Sequence, residues 1–181
     1  MSEPRYFAFL RAINTGGRRL TNEQLLAPFR ELGFTDVAAY QAAGNVTFRC
    51  NDPRSVDEAR IEAALADAYG FAVPTFVRTS GDVRSIAAAS PFTAEERART
   101  EGKVQVSFLR TAATTDVADR VMALVPPEDR VVVDGRHWYW LPVAGVSAST
   151  LPVGRIEAEL GVMTMRTLGT VERMLSRFAG P

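Results

Sequence analysis

The sequence has very few of the residues that build redox and metal centres. Its 181 residues include one cysteine, Cys50, and one histidine, His137. A single cysteine excludes an internal disulfide and suits a reducing compartment. One cysteine and one histidine cannot form a Cys/His zinc site. We therefore predict a cytoplasmic protein with no cofactor.

An excess of positive charge is also missing. The 21 basic and 21 acidic residues cancel, and the pI is near 6.6. Binding to nucleic acids or anionic membranes relies on excess positive charge, so this balance argues against both partners. No apolar run approaches the roughly 20 residues of a membrane helix. The N-terminus also lacks the charged-then-apolar pattern of a signal peptide.

The chain contains an internal repeat of element order. Each half is predicted as strand, helix, strand, strand, helix, strand, which is the order of the split ferredoxin-like unit. The segment Phe9-Leu-Arg11 matches Phe108-Leu-Arg110. Residues 70–78 match residues 161–166, although the second copy is three residues shorter. We predict an α+β fold of two tandem ferredoxin-like units packed as a pseudo-dimer. One longer mixed sheet is the alternative.

The predicted boundaries follow from composition. Residues 1–92 form the first half, the polar stretch 93–102 is a connector, and 103–181 form the second half with a C-terminal helix. Capping-box spacing predicts helices opening at Thr21 and at Ser55. Pro28 should kink the first helix, and Asp134-Gly135 predicts a tight hairpin.

The first strand, Tyr6 to Leu10, ends in a polar loop that carries three arginines between Phe9 and Arg19. In a ferredoxin-like unit the first two strands are parallel, with the third antiparallel between them. The end of the first strand therefore lies beside the turn that joins the second and third. This topology brings together two sets of residues: Arg11, Asn14, Gly16 and Gly17 in one loop, and Gly44 and Asn45 in the other.

These residue types suit an anion. The arginine guanidinium is a planar fork for carboxylate or phosphate, and asparagine adds donors and an acceptor. Glycine allows close approach of a ligand, and loop amides near Gly16-Gly17 could form an anion nest. Gly-Gly and Gly-Asn are also ordinary turn formers, so a purely structural role is the alternative.

The other candidate residues are weaker. His137 could act as a general base, but no nucleophile or orienting acid accompanies it. Trp138 and Trp140 are interpreted as core or interface anchors. Arg78 should lie at the opposite end of its sheet from Arg11.

The opening motif resembles that of a bacterial family called domain of unknown function 1697. The family pattern Leu-Leu-Arg-Gly-Ile-Asn-Val-Gly-Gly corresponds here to residues 9–17, and Tyr-Ile-Gln-Ser-Gly-Asn-Val corresponds to residues 40–46. Residues 71–78, 90–92, 149–151 and 164–170 also fit. The chain is a divergent member, since it departs from the pattern at Ala12, Ala42, Ala43, Thr150, Thr167, Leu168 and Gly169. The resemblance implies the fold and the location of the site, and no established reaction.

Three functions remain open at this point. The first is binding of a small anionic metabolite or nucleotide. Its site residues are Arg11, Asn14, Gly16, Gly17, Gly44, Asn45 and Arg166. The alternatives are a non-enzymatic interaction or structural module, using sheet edges or the Trp138/Trp140 strand, and RNA binding through the sheet faces. The sequence does not decide whether the protein is an enzyme, and we expect a monomer or a weak homodimer.

Overall fold

The computed structural model describes residues 3–14, 19–41, 44–100 and 103–179. It is an α+β fold with two four-stranded antiparallel sheets and helices. The chain divides into two compact units. The first comprises Met1–Ser85 and Met174–Pro181, and the second comprises Ile86–Arg173.

The first unit is built on one sheet with β1 near its centre. The elements in chain order are β1 (Arg5–Leu10), α1 (Asn22–Glu31), β2 (Thr35–Ala39), β3 (Asn45–Arg49), α2 (Glu58–Tyr69), β4 (Thr75–Thr79) and α3 (Ser80–Ala88). The strand order is β2-β3-β1-β4, and every neighbour is antiparallel. The third strand thus lies between the first two, as the sequence predicts.

Aromatic rings fill the core of the first unit. Phe48 stacks on Phe34 with ring centroids 4.3 Å apart and on Tyr6 at 5.6 Å. Leu25, Phe29 and Ile61 belong to the same buried cluster. Buried aromatic pairs of this kind add to the free energy of folding beyond the area they remove from water.

The edge strand β4 is protected by carboxylates from α2. The Thr75 amide donates to Glu62 Oε1 at 2.6 Å, and the Val77 amide donates to Glu58 Oε1 at 2.8 Å. Unpaired amides at a sheet edge otherwise invite pairing with another chain. This use of Glu58 corrects the predicted capping box at Ser55. Asp57 caps α2 instead, and its carboxylate accepts from the amides of residues 59 and 60.

The start of α1 agrees with the prediction, because both bonds of the capping box between Thr21 and Gln24 are present. Pro28 lies inside this helix and has no amide hydrogen, so the Gln24 carbonyl loses its usual helical donor. The Tyr69 hydroxyl donates to that carbonyl at 3.1 Å, and it also lies 3.1 Å from the Leu25 carbonyl. Burial raises the pKa of Tyr69 to about 12. Tyr69 therefore replaces the bond that Pro28 removes.

The second unit repeats the same order of strands. Its elements are α4 (Ala94–Ala98), β5 (Gln105–Leu109), α5 (Thr115–Met122), β6 (Arg130–Asp134), β7 (His137–Leu141), α6 (Val153–Leu160), β8 (Met163–Thr167) and α7 (Leu168–Phe178). The strand order is β6-β7-β5-β8, again with antiparallel neighbours. Asp134 pairs with His137 across the predicted tight hairpin.

Buried polar contacts organise the core of the second unit. The Asp129 carboxylate accepts hydrogen bonds from Trp140 Nε1 at 3.1 Å, the Val143 amide at 3.3 Å and the Ser149 hydroxyl. Burying a carboxylate is unfavourable unless hydrogen bonds replace its water. These three donors satisfy Asp129, which in turn fixes the segment that follows β7.

Two boundaries differ from those expected from composition. The division between units falls at Ser85/Ile86, inside α3, and residues 174–181 group with the first unit. The described part of the predicted connector, residues 93–100, contains α4, which a capping box between Thr93 and Glu96 opens. The Thr-x-x-Glu spacing was the available signal for this helix.

The strand registers of the two sheets match, so each residue of β5 has an equivalent in β1. Phe9 pairs with Asn45 and Phe76, and Phe108 pairs with His137 and Thr164. Ala8 in β1 is thus equivalent to Ser107 in β5. Both are buried, and within the described residues the Ser107 hydroxyl has no hydrogen-bond partner.

The pairing of Pro28 with Tyr69 predicts a coupled effect on stability. Tyr69→Phe should lower the free energy of unfolding by about 1 kcal/mol, because the Gln24 carbonyl loses its donor. In a Pro28→Ala background the residue 28 amide can donate to Gln24, so the loss should be about half as large. Urea unfolding of the four proteins measures the coupling. Equal losses in both backgrounds would contradict this role for Tyr69.

The equivalence of Ala8 and Ser107 predicts opposite effects for two reciprocal substitutions. Ser107→Ala should raise the free energy of unfolding by about 1 kcal/mol, since it removes a buried hydroxyl that lacks a partner. Ala8→Ser should lower it by at least about 1 kcal/mol for the same reason. Thermal and urea unfolding measure both changes. A loss of stability in Ser107→Ala would show that its hydroxyl is hydrogen-bonded.

Candidate functional site

The end of β1 meets two other segments of the first unit. The Leu10 amide donates to the Gly44 carbonyl at 2.7 Å, and the Arg11 amide donates to the Pro74 carbonyl at 2.9 Å. Phe9 pairs with Asn45 one step earlier in the ladder. The structure therefore brings Arg11 beside the β2–β3 turn. Arg11 itself is half-buried.

Both predicted asparagines hold the local backbone. Asn14 Oδ1 accepts from the Leu20 amide at 3.0 Å, which closes the loop after β1. Asn45 is fully buried, and its Nδ2 donates to the Tyr40 carbonyl at 3.2 Å across the β2–β3 turn. These bonds use the carbonyl oxygen of Asn14 and the amide group of Asn45. Both side chains thus have structural roles.

Gly16 and Gly17 lie outside the described residues, as do Ala42 and Ala43. Ala12 is described and has φ of 54°, a left-handed conformation that is unfavourable for alanine. This is a position where the family pattern has glycine. The loop is thus held in the conformation that a glycine would adopt more readily.

Gly44 is required for two separate reasons. Its φ is 68°. A Cβ atom at this position would lie 3.0 Å from both Ile13 Cγ2 and the Leu10 carbonyl oxygen, and 3.2 Å from Leu10 Cβ. The turn therefore approaches β1 at a distance that leaves no room for a side chain.

Arg166 belongs to the second unit, whereas the other predicted site residues belong to the first. It pairs with Val106 in the ladder, and its Nη1 donates to Thr164 Oγ1 at 2.9 Å and to the Met165 carbonyl at 2.8 Å. Burial lowers the pKa of Arg166 to about 10, so the side chain remains charged at neutral pH. Its membership of an anion site stays a prediction.

Arg78 occupies the position in the first unit that is equivalent to Arg166. It pairs with Phe7, three residues before Leu10, so it lies toward the opposite end of β1 from Arg11 as predicted. Its side chain is 1% exposed, and Nη1 lies 3.6 Å from Glu58 Oε1. Arg78 is thus a buried, charge-compensated group.

The residues named for other functions lie mainly in cores. Trp138 and Trp140 are buried, and β7 lies between β6 and β5, so neither indole is available at a sheet edge. Of the two roles given for these tryptophans, core or interface anchors, their burial supports the core role. RNA binding through the sheet faces would need exposed rings, but the rings of Tyr6, Phe7, Phe9 and Phe48 on the first sheet are buried. His137 packs edge-on against Phe108, with ring centroids 5.8 Å apart.

Metal binding and membrane insertion have no support in the described ranges. Among the described residues, no three or more His, Cys, Asp or Glu side chains are grouped so as to hold a metal ion. Over the same part of the chain, no helix combines the length and hydropathy that crossing a bilayer requires.

One concave site was missed in the sequence. It is a cavity of about 270 Å³ at the start of α7, lined in part by Arg97, Lys103 and Arg173. The basic residues between 97 and 103 were the local sequence signal for this cavity. Polar composition led instead to the prediction that the stretch is a connector. Arg173 comes from α7, so the grouping appears only after folding.

Comparison with known proteins first identifies the class of fold. The conserved bacterial protein SP0830 from Streptococcus pneumoniae has a similar structure, with a TM-score of 0.76 over 97% of this chain and 99% of that chain. The sequence identity is 18%, so this likeness establishes the fold alone.

The family follows from the sequence match. The chain belongs to the family described as protein of unknown function (DUF1697), whose model matches residues 4–139. This range contains Arg11, Asn14 and the Gly44-Asn45 turn, whereas the segments 149–151 and 164–170 lie beyond it. No curated protein matches the sequence.

The contacts of Gly44 predict that adding a side chain here lowers the stability of the fold by more than the left-handed conformation alone would. Gly44→Ala should lower the free energy of unfolding by about 3 kcal/mol, combining left-handed strain with a clash against Leu10 and Ile13. Gly70→Ala is the matched control, because Gly70 has φ of 74° with nothing within 4 Å of a Cβ atom. It should lose about 1 kcal/mol. Equal losses in urea unfolding would contradict the close approach of the turn.

Proposed function

We propose that the protein binds a small anionic metabolite or nucleotide at the end of β1, with Arg11 as the residue that contacts the anionic group. The observation that carries the proposal is the hydrogen bond from the Leu10 amide to the Gly44 carbonyl. It holds the β2–β3 turn against the strand from which Arg11 emerges. Arg11, a half-buried residue, therefore follows the point where this turn approaches β1.

The roles within this site are divided between side chains and backbone. Asn14 and Asn45 brace the two loops through the Leu20 amide and the Tyr40 carbonyl. Recognition of the charge then rests on Arg11, whose planar guanidinium can donate two parallel hydrogen bonds to a carboxylate or phosphate. Gly16 and Gly17 are proposed to supply loop amides to the same anion.

The hydrogen bonds made by the two asparagines support this division of roles between side chains and backbone. Bracing by Asn14 and Asn45 fixes the loop ends before a ligand arrives, so less conformational entropy is lost on binding. When hydrogen bonds from side chains to backbone groups already hold a site in place, one charged side chain is enough to select an anion. The role of Arg166 in binding an anion stays a prediction.

The finer description of the fold is also a proposal. We infer that each unit is a ferredoxin-like unit, supported by the order β2-β3-β1-β4 and its counterpart β6-β7-β5-β8. The pseudo-dimer, the cytoplasmic location and the monomer or weak homodimer stay predictions. A protein-interaction role and RNA binding rank below anion binding, because the indoles and rings named for them are buried.

Arg11→Ala should remove the thermal stabilisation that an anionic ligand gives. A ligand at 100 times its dissociation constant stabilises the folded state by about 2.7 kcal/mol, and most of this should disappear in the variant. The measurement is the melting temperature across a panel of nucleotides and dicarboxylic acids. Arg11→Lys should retain only part of the effect, since an ammonium group cannot form the bidentate pair.

Arg84→Ala is the matched control, because Arg84 is an exposed arginine on α3 of the same unit. It should bind the ligand as the unmodified protein does. Ligand-induced stabilisation that persists in Arg11→Ala, or that falls equally in both variants, would overturn the proposed site.

A further inference from the structure

The cavity at the start of α7 is lined by charged and uncharged residues. Arg97, Lys103, Glu172 and Arg173 carry the charges, and Val104, Thr167, Leu168 and Gly169 complete the lining. All of these residues belong to the second unit. Its volume of about 270 Å³ lies just below the range of pockets that hold drug-sized ligands.

Cations outnumber carboxylates among the lining residues. Arg97, Lys103 and Arg173 contribute three positive charges and Glu172 one negative charge, which leaves a net charge of +2. The cations come from α4, from the segment before β5 and from α7. Elsewhere in this unit, Arg120 pairs with Glu159 at 2.7 Å. Grouped like charges repel one another, and a bound anion relieves that repulsion.

The positive charge of the cavity comes from side chains more than from the backbone amides at the start of α7. The Leu168 amide donates to the Val104 carbonyl at 2.8 Å, and the Thr170 amide donates to Thr167 Oγ1 at 3.2 Å. These bonds satisfy two of the first amides of the helix. Recognition of a ligand therefore depends on the guanidinium and ammonium groups.

Gly169 leaves space for the charged side chains that line the cavity. A Cβ atom at this position would lie 3.3 Å from Arg173 Nη1 and 3.9 Å from Glu172 Oε2. Without that atom, the Arg173 guanidinium can lie close to the backbone of residue 169. Thr167, Leu168 and Gly169, which all line this cavity, are positions where the chain departs from the family pattern.

We propose that this cavity binds a phosphate group, either inorganic phosphate or the phosphate of a small phosphomonoester. Two arginines offer planar donor forks that match phosphate geometry, and a lysine adds a point charge. The volume admits a phosphate with a short organic substituent. This site is additional to the one at Arg11, and neither depends on the other.

The test uses inorganic phosphate as the probe and the single lysine as the reporter. Lys103 is the only lysine in the sequence. Reductive methylation with ¹³C keeps its charge and gives one side-chain NMR resonance besides that of the terminal amine. Titration with phosphate at constant ionic strength should shift the Lys103 resonance in a saturable way. Chloride at the same ionic strength should not.

Two variants with opposite expected signs sharpen the test. Arg173→Ala should weaken phosphate binding at least tenfold, because it removes one guanidinium fork. Glu172→Gln should tighten binding severalfold, because it removes the one negative charge among the lining residues. Arg155→Ala, which alters an exposed arginine of α6, should leave the dissociation constant unchanged.

The proposal is overturned if the Lys103 resonance follows ionic strength alone, without saturation. It is also overturned if Arg173→Ala and Arg155→Ala weaken binding equally, or if Glu172→Gln weakens it.

Discussion

The hydrogen bond between the Leu10 amide and the Gly44 carbonyl is the last step of the ladder that joins β1 to β3. It sets where the loop after β1 begins and how closely the β2–β3 turn approaches that loop. Gly44 permits the approach because it has no Cβ atom, and Asn45 braces the turn from within. The position of Arg11 depends on this step, and so does the proposed anion site.

The second unit has the same ladder step with different residues. The Leu109 amide donates to the Arg136 carbonyl at 2.9 Å, so Arg136 and His137 occupy the positions of Gly44 and Asn45. The second unit thus has arginine and histidine at this step, where the first unit has glycine and asparagine. The repeat therefore keeps its backbone frame while the loop chemistry differs. In the second unit the concave, cationic surface lies instead at the start of α7.

Much of the frame was predictable from local patterns, because the capping box at Thr21, the Asp134-Gly135 hairpin and the repeated strand order depend on residues close in sequence. The strand order alone placed Gly44 beside Arg11. Contacts between distant residues were not predictable in this way. Glu58 looked like part of a capping box, yet it protects β4. Tyr69 satisfies a carbonyl that Pro28 leaves without a donor, and Arg173 joins Arg97 only after folding.

The central claim is that Arg11 contacts an anion at the end of β1. A crystal structure grown with a nucleotide or dicarboxylate that stabilises the protein tests it most directly. The account predicts an ordered anionic group within hydrogen-bond distance of the Arg11 guanidinium, with Asn14 still bonded to the Leu20 amide. The claim would be contradicted if the ligand were ordered elsewhere while the Arg11 guanidinium contacted only groups of the protein.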